Sequence, residues 1–513
     1  MYYTLIKWYL NSLFVVLLMP LLAMELSAQI IQPDRFEIVG EYDNIDVIPA
    51  GENGLFLVSS NREPGESEVE WQVIKLDTAF FGDWDRTYSV PKNQVLLSKY
   101  FDNGKLYFLF SKNDPKDRNL ELISFDVRDG SAKSYVIRNY IPFSLFDFKV
   151  TDNAAIIGGY FNYRPLVILY NFANQIPVIL PGLFIENADF AQIKVNNRST
   201  FDILLTGKTI DKKATIFIYT YSTNGELLRQ TSLDTDKKKG LLFGRSESLN
   251  PGSQIVAGVY GRRNSEYSRG VFLANVNEDG TQDMNYYNYA ELGNFFNYMR
   301  SGRERRVRNR IERRKIKEKK IKFTYRLLVH DIIENGENYI LLGEAFYPKY
   351  KNIQGNYTGI FTPVYSINRG LYSSNRVFDG FQYTHAVLLG FNKQGDLLWD
   401  NSFEINDVKS FELEQFVHAS VEKDKIALLY VFNDKIRSKI IKESEVIEDK
   451  ELTPIRLKYD SDNLVDNSTI IQGLNSWYDN VFITYGTQEI KNLTSGEVDL
   501  KRKVFFINKV IYK

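Results

Sequence analysis

Downstream of an apolar N-terminal stretch, the chain is a series of short runs rich in Val, Ile, Leu, Phe and Tyr, each bounded by clusters of Gly, Asn, Asp and Ser. Runs of this length and composition, punctuated by turn residues, predict β-strands rather than helices. One kind of run recurs: an apolar stretch, often with a glycine inside, that follows a polar turn. It appears as LFLVSS (Leu55–Ser60), LYFLFS (Leu106–Ser111), IIGGY (Ile156–Tyr160) and ILLTG (Ile203–Gly207). It returns as IVAGVYG (Ile255–Gly261), ILLGEAF (Ile340–Phe346), IALLYVF (Ile426–Phe432) and FITYG (Phe482–Gly486). The starts lie 51, 50, 47, 52, 85, 86 and 56 residues apart. The two long intervals fall into line once insertions of roughly 30–36 residues are removed, leaving a period of about 50.

Within the fourth unit, FAQIKV leads through a polar turn to ILLTG, then ATIFIYTY, then the tight turn STNG and LLRQTSL. Comparable turns are VRDG (Val127–Gly130), NEDG (Asn277–Gly280) and NKQG (Asn392–Gly395). Glycine there supplies the positive φ that a two-strand reversal needs. The unit is therefore strand A, polar turn, strand B, loop, strand C, Gly turn, strand D. The last unit holds A (from Ser468), B and C (to Tyr512) but no D strand, whereas FEIVGEY (Phe36–Tyr42) near the start belongs to no unit. Pairing that orphan beside the last C strand would complete the final unit and remove exposed sheet edges.

A period of about 40–50 residues with four short strands per unit is that of a β-propeller blade, and the chain resembles β-propeller proteins throughout its repeat region. The expected fold is all-β: a single propeller over residues 29–513, closed by the N-terminal strand. Eight blades is the count that the spacing yields; seven is the alternative if the weak strands near Lys435–Tyr459 are merged. Trp-Asp pairs, present only at Trp84-Asp85 and Trp399-Asp400, and kelch glycine pairs do not recur from unit to unit. NKQGDLLWDNSF resembles the turn-plus-Trp element of quinoprotein or sialidase blades, but it occurs once and lacks the Ser-x-Asp opening of a sialidase box.

The N-terminus changes the picture of compartment. Lys7 supplies a positive start, Leu13–Met24 an apolar core and Leu26–Ala28 a small-residue cleavage site before Gln29. Residues 1–28 therefore read as a secretory signal peptide, with an uncleaved anchor as the alternative, since the run suffices for export and is marginal for spanning. No later stretch is apolar enough to cross a bilayer. The absence of cysteine rules out a disulfide framework, a thiolate metal site and a lipidated cysteine at the mature N-terminus. The expectation is an exported protein, in the periplasm or associated with the outer membrane or cell surface. A signal ending in SAQ ahead of these repeats is similar to exported propeller-like proteins of Bacteroidota-type bacteria.

Charge is balanced overall, with 64 bases and 64 acids, but not locally. Arg300–Lys322 carries thirteen cations against Glu304, Glu312 and Glu318, a net +10, so the remainder of the chain sums to −10. This segment falls in the first insertion (residues 291–322), between strand D of blade 5 and strand A of blade 6. Free of Pro and interior Gly, and rich in Arg, Lys and Glu, it predicts a helix over Arg303–Lys320. Only Val307 and Ile311 share an apolar face; Ile316 and Ile321 drift away from it. The second insertion (residues 347–382) joins strands B and C of blade 6 and reads as a loop spacing tyrosines and phenylalanines among Gly, Asn and Ser. Aromatic anchors among adaptable polar residues are a feature of binding loops, although such a loop can also pack on its own tyrosines. Because successive strands alternate direction, D-to-A and B-to-C connections share one face, and both insertions are expected to rise from it.

Three readings of the basic segment stand side by side: a solvated strut, a dock for a polyanion or acidic protein, and a phosphate-backbone binder, the last poorly matched to an exported protein. The candidate partner-binding residues are Arg303, Arg305, Arg306, Arg308, Arg310, Arg313, Arg314, Lys315 and Lys317 of the helix. Tyr350, Tyr357, Phe361, Tyr365 and Tyr372 of the aromatic loop join them. Catalytic candidates are thin: His330, His385 and His418 all lie in strand-like contexts, and the aspartate-rich DSDNLVD (Asp460–Asp466) lacks the Gly and terminal Glu of a calcium hand. No catalytic residue, cofactor or metal site is expected. The function expected is a non-catalytic protein-binding or scaffold module of the bacterial cell envelope, docking an acidic protein or anionic envelope component through the blade 6 insertions. The alternative is a glycan- or small-ligand-binding propeller, a sensor or hydrolase/lyase-like protein, using its central channel. Cleavage of the signal peptide predicts that protein recovered from the envelope has an intact mass starting at Gln29; a mass that includes Met1 would identify the anchor instead.

Overall fold

A computed structural model of the protein describes residues 30–512 apart from 41–44, 63, 115, 197–198, 251, 264, 320, 353–375, 423 and 493–500. Among the described residues the strands form eight antiparallel sheets, and the fold is an all-β, eight-bladed propeller carrying one helix. The seven-blade alternative does not hold. Lys435–Lys442 and Glu445–Pro454, which the sequence marks only weakly, complete a sheet of their own with His418–Glu422 and Lys425–Phe432. Every one of the eight recurring runs is strand B of its blade. A strand packed on both faces must be apolar at consecutive positions, so strand B is the most legible element; outer strands such as Glu445–Pro454 face water and leave a fainter trace.

The chain divides into two compact units, one comprising Met1–Asp43 with His418–Lys513 and the other Asn44–Val417. The first holds blades 7 and 8. Arg35–Val39 pairs antiparallel with Lys501–Tyr512, Arg35 opposite Asn508 and Val39 opposite Val504, so the N-terminal strand completes the eighth blade as its outer member. Four buried charges hold it there. Arg502 grips Asp462 with both Nη atoms (2.9 and 2.6 Å) and reaches Glu37 at 3.4 Å. Arg35 bonds Glu37 at 2.6 Å and donates to Asn508 Oδ1, Gln488 Oε1 and the Arg456 carbonyl. Asp462 comes from the aspartate-rich loop considered above for calcium; in the folded chain its carboxylate is neutralised by Arg502.

Burial pushes the Asp462 pKa upward, but hydrogen bonds from Arg502, Asn492 and the Tyr459 backbone outweigh it and bring the group below its ordinary value. A depressed carboxylate pKa contributes stability above the unfolded-state value and loses it as pH falls through the folded one. Asp462→Asn breaks the pair while keeping its shape, and should lower the unfolding free energy at neutral pH by roughly 3–5 kcal/mol. Urea denaturation checks this, and the gap between variant and parent should narrow as pH drops below the ordinary carboxylate range.

The second unit holds blades 1–6. In blade 6, strand B (Asn338–Asn352) and strand C (Arg376–Asn392) run on past the body of the sheet as a paired ribbon, with Tyr347 opposite Gln382 and Tyr350 opposite Phe378. Both ends of the segment read as a loop over 347–382 are therefore strand, because the ladder hydrogen bonds continue through it. Strand A begins at Arg326, directly opposite Phe346, where the ribbon leaves the sheet. The helical connection enters at the edge from which the ribbon departs, so both insertions rise from one side of blade 6.

The helix spans Ser301–Ile316, four residues shorter at its C-terminal end than the sequence predicts. Glu318 adopts a left-handed φ of 50°. Its N–H bonds the Lys315 carbonyl while that of Lys319 bonds the Arg314 carbonyl, a Schellman closure that stops the helix despite continuing good helix formers. The lead-in is pinned by Asp400 of strand D (Leu397–Glu404), which accepts from the N–H groups of Gly293 (2.8 Å) and Asn294 (2.6 Å). The preceding Trp399 lies flat on Gly390, where a Cβ would sit 2.1 Å from the indole. Farther along the strand that holds Gly390, Tyr298 stacks on His385 with ring centroids 3.6 Å apart, and Phe295 and Tyr325 meet it edge-on.

His385 is fully buried, and desolvation drives its pKa down to about 3. The folded state thus holds it neutral, while the unfolded chain protonates it below its usual value of about 6.5. Its contribution is intact above that value and is lost as pH falls toward 3, by up to about 1.4 kcal/mol per pH unit. His385→Phe keeps the stack without the titration. The parent should lose about 2 kcal/mol more than this variant on moving from about pH 6.5 to about pH 5, measured by urea midpoints.

Candidate anion-binding site

The helix is seated by a narrow apolar stripe. Ile311 is buried and Val307 half-buried in a cluster with Phe295, Phe296, Phe323 and Leu327. Arg308 is turned inward: it bonds Glu304 at 2.6 Å, the Gly293 carbonyl at 2.9 Å and Asn297 Oδ1 at 2.5 Å. Glu304 in the first turn and Arg313, Arg314 and Lys315 in the last complement the helix dipole. Arg303, Arg305, Arg306, Arg310, Arg313, Lys315 and Lys317 are exposed, and Arg314 is half-buried. Arg306 and Arg313 each donate Nε to a carbonyl one turn earlier on the helix, leaving their outer nitrogens toward solvent. Tyr350 is exposed on the ribbon and meets Phe378 edge-on at 5.9 Å; Tyr357, Phe361, Tyr365 and Tyr372 lie outside the described residues.

Blade 5 carries a second set of cations that the sequence reading passed over. Strand A (Lys239–Asn250) starts, strand B (Ser253–Arg262) ends and strand C (Ser268–Val276) starts at one edge, with Lys239 directly opposite Arg262. After the helix, the chain returns along this edge and forms a two-way backbone bridge between Tyr325 and Ser268 (2.9 and 3.1 Å). The result is a cleft of about 930 Å³ lined by Lys237, Lys238, Arg262, Arg263, Ser265, Glu266, Tyr267, Arg269 and Lys322. A smaller hollow of about 420 Å³ shares Lys238, Arg262, Arg269 and Lys322 with it and adds Lys315 and Lys319 from the helix end. Among the described residues, Lys315 is thus the one predicted partner-binding residue that lines this basic region; the other exposed helix cations do not line it. The signal was present as DKKKG (Asp236–Gly240) and GRRN (Gly261–Asn264), basic runs at the D-to-A and B-to-C positions of blade 5.

Six cations thus line the larger cleft against one carboxylate, Glu266, which lies 3.2 Å from Arg326. Burial lowers the Arg269 pKa, and the Arg262 charge lowers it further. Lys239 is compensated, with its ammonium 3.6 Å above the Tyr286 ring and 3.7 Å from Asp236. Arg263 donates to the Asp211 carbonyl. Elsewhere in the unit, His330 Nε2 lies 3.1 Å from Glu344, a fully buried carboxylate that also accepts from the Phe416 and Val417 N–H groups. That pair joins blade 6 to the segment leaving it. Among the described residues, no group of three or more His, Asp or Glu side chains could hold a metal ion, and no helix is long and apolar enough to cross a membrane.

No protein-family model and no curated protein matches the chain. Among solved structures, the β-propeller domain of the trilobed protease from Pyrococcus furiosus aligns over 81% of this chain and 93% of its own, at 10% identity and a TM-score of 0.36. Pyrococcus horikoshii acylaminoacyl peptidase aligns over 78% of this chain and 51% of its own (10% identity, TM-score 0.35), and a prolyl endopeptidase over 80% and 50% (8% identity, TM-score 0.39). The chain spans about half the length of those two peptidases. Likenesses this remote carry nothing about activity, and the propeller assignment rests on the eight sheets themselves.

Proposed function

We propose that the protein is a non-catalytic binding or scaffold module that docks an acidic protein or anionic component of the bacterial cell envelope. The single observation that carries this reading is the exposed cationic surface of Ser301–Ile316, held on an anchored base beside the blade 6 ribbon. Asp400, Arg308 and the Tyr298–His385 stack restrain the base, so the cations project from a positioned element rather than a free tail. A concentrated field of one sign on a mildly acidic body steers association with an oppositely charged surface. Exposed aromatics at Tyr347, Tyr350 and Phe378 on the ribbon supply contact area of the kind that interfaces favour. Under this reading residues 1–28 act as an export signal and the protein works in the periplasm or associated with the outer membrane or cell surface.

Replacing Arg303, Arg305, Arg306, Arg310, Arg313 and Lys317 by Gln removes the outward charge and leaves Val307, Arg308 and Ile311 in place. Affinity purification from solubilised envelope should recover the partner with parent protein at about 50 mM salt, less at about 300 mM, and little with the variant at either. Equal recovery by parent and variant would reject the docking role of the helix.

A further inference from the structure

We infer that the blade 5 cleft is a binding site for a compact ligand that carries several phosphoryl groups. The inference shares one premise with the docking reading, that uncompensated positive charge on this side of the protein receives an anion, but it concerns different residues. Three parts of the chain wall the cleft: the connection bearing Lys237 and Lys238, the residues Arg262, Arg263 and Ser265–Arg269 at the ends of strands B and C, and the returning segment bearing Lys322. At about 930 Å³ it has the volume of a small-molecule site and a concave form, whereas the helix presents a convex one.

Charge sets the ligand class. Lys237, Lys238, Arg262, Arg269 and Lys322 form no ion pair among the described residues, and Glu266 is engaged by Arg326. The lining therefore sums to +5. At about −1.5 to −2 per phosphoryl group, two or three such groups on one scaffold neutralise it. Arginine forks match phosphoryl oxygens in pairs, which a lone carboxylate uses less fully. Among the described residues of the lining Tyr267 is the only aromatic one, so they offer neither the base-stacking platform of a single-strand binder nor the apolar anchors of a protein interface.

Electrostatics within the cleft point the same way. Inside the cleft the Arg262 charge opposes half-buried Arg269, whereas Lys239, across the ladder from Arg262, is compensated by Asp236 and the Tyr286 ring. A multivalent anion bound between Arg262 and Arg269 relieves that repulsion. The negative end of the helix dipole lies toward Lys315 and Lys319, so the ligand is expected on the blade side, against Arg262, Arg269 and Lys322.

Isothermal titration with myo-inositol hexakisphosphate, a compact probe of this chemistry, tests the site. Parent protein should bind it and melt at a higher temperature in its presence. Arg262→Gln with Arg269→Gln should weaken binding roughly 10- to 100-fold, as should Lys237→Gln with Lys238→Gln, which alters only exposed positions and guards against misfolding of the first pair. The helix variant described above should bind the probe within about twofold of the parent. Competition by phosphatidylcholine vesicles containing phosphatidylinositol bisphosphate would assign a lipid headgroup as the source, and absence of competition a soluble phosphorylated ligand. The inference is overturned if the parent does not bind the probe, if inorganic phosphate binds as tightly, or if the helix variant loses binding as much as the cleft variants. Loss of the envelope partner with probe binding intact, or the reverse, separates the two readings.

Discussion

Alternation of strand direction is the constraint on which everything functional in the larger unit depends. In an antiparallel four-stranded blade, strand A starts, strand B ends and strand C starts at one edge, and no rearrangement of side chains can alter that. The constraint puts Lys239 opposite Arg262 in blade 5 and Arg326 opposite Phe346 in blade 6. It brings the helical connection and the ribbon to one side of blade 6, and it gathers cations from separate connections into a cleft. Local sequence supplies the charges; the ladder decides that they meet.

Holding charges together has a thermodynamic cost, and the two units answer it differently. In blade 8, Arg502, Asp462, Glu37 and Arg35 are buried but alternate in sign, so desolvation is offset by ion pairs and by hydrogen bonds to Asn508 and Gln488. Networks of this kind specify a register more than they add net stability, and the register here joins strands from opposite ends of the chain. In blade 5 the cluster is predominantly positive and open to water. Solvent screens its repulsion in the free protein, and the missing counter-charge is what a ligand would bring.

The insertion between blades 5 and 6 shows how a highly charged segment is made into a positioned one. Its helix buries only Ile311 fully, too little apolar area to hold it unaided. The fastening lies instead in the lead-in, where Asp400 accepts two backbone N–H groups and Tyr298 stacks on the neutral His385 ring. Most of the helix surface is thereby left to water and to whatever approaches it.

Strand content, the period near fifty residues, the orphan N-terminal strand and the helical character of Arg303–Ile316 were all legible in the amino-acid pattern. Each rests on local chemistry: continuous apolar runs where a strand is covered on both faces, glycine where a turn needs positive φ, strong helix formers without a breaker. The helix end was misjudged because Glu318 takes a left-handed conformation that its residue type does not announce. The ends of the 347–382 insertion read as loop because Pro348, Gly380 and scattered polar residues mask a ladder that depends on a partner strand. Asp462 resembled a fragment of a calcium loop until Arg502, forty residues away, neutralised it. Lys237, Lys238, Arg262, Arg263, Arg269 and Lys322 are scattered over more than eighty positions, and proximity among them is a property of the folded ladder, through which electrostatic interaction acts across space rather than along the chain.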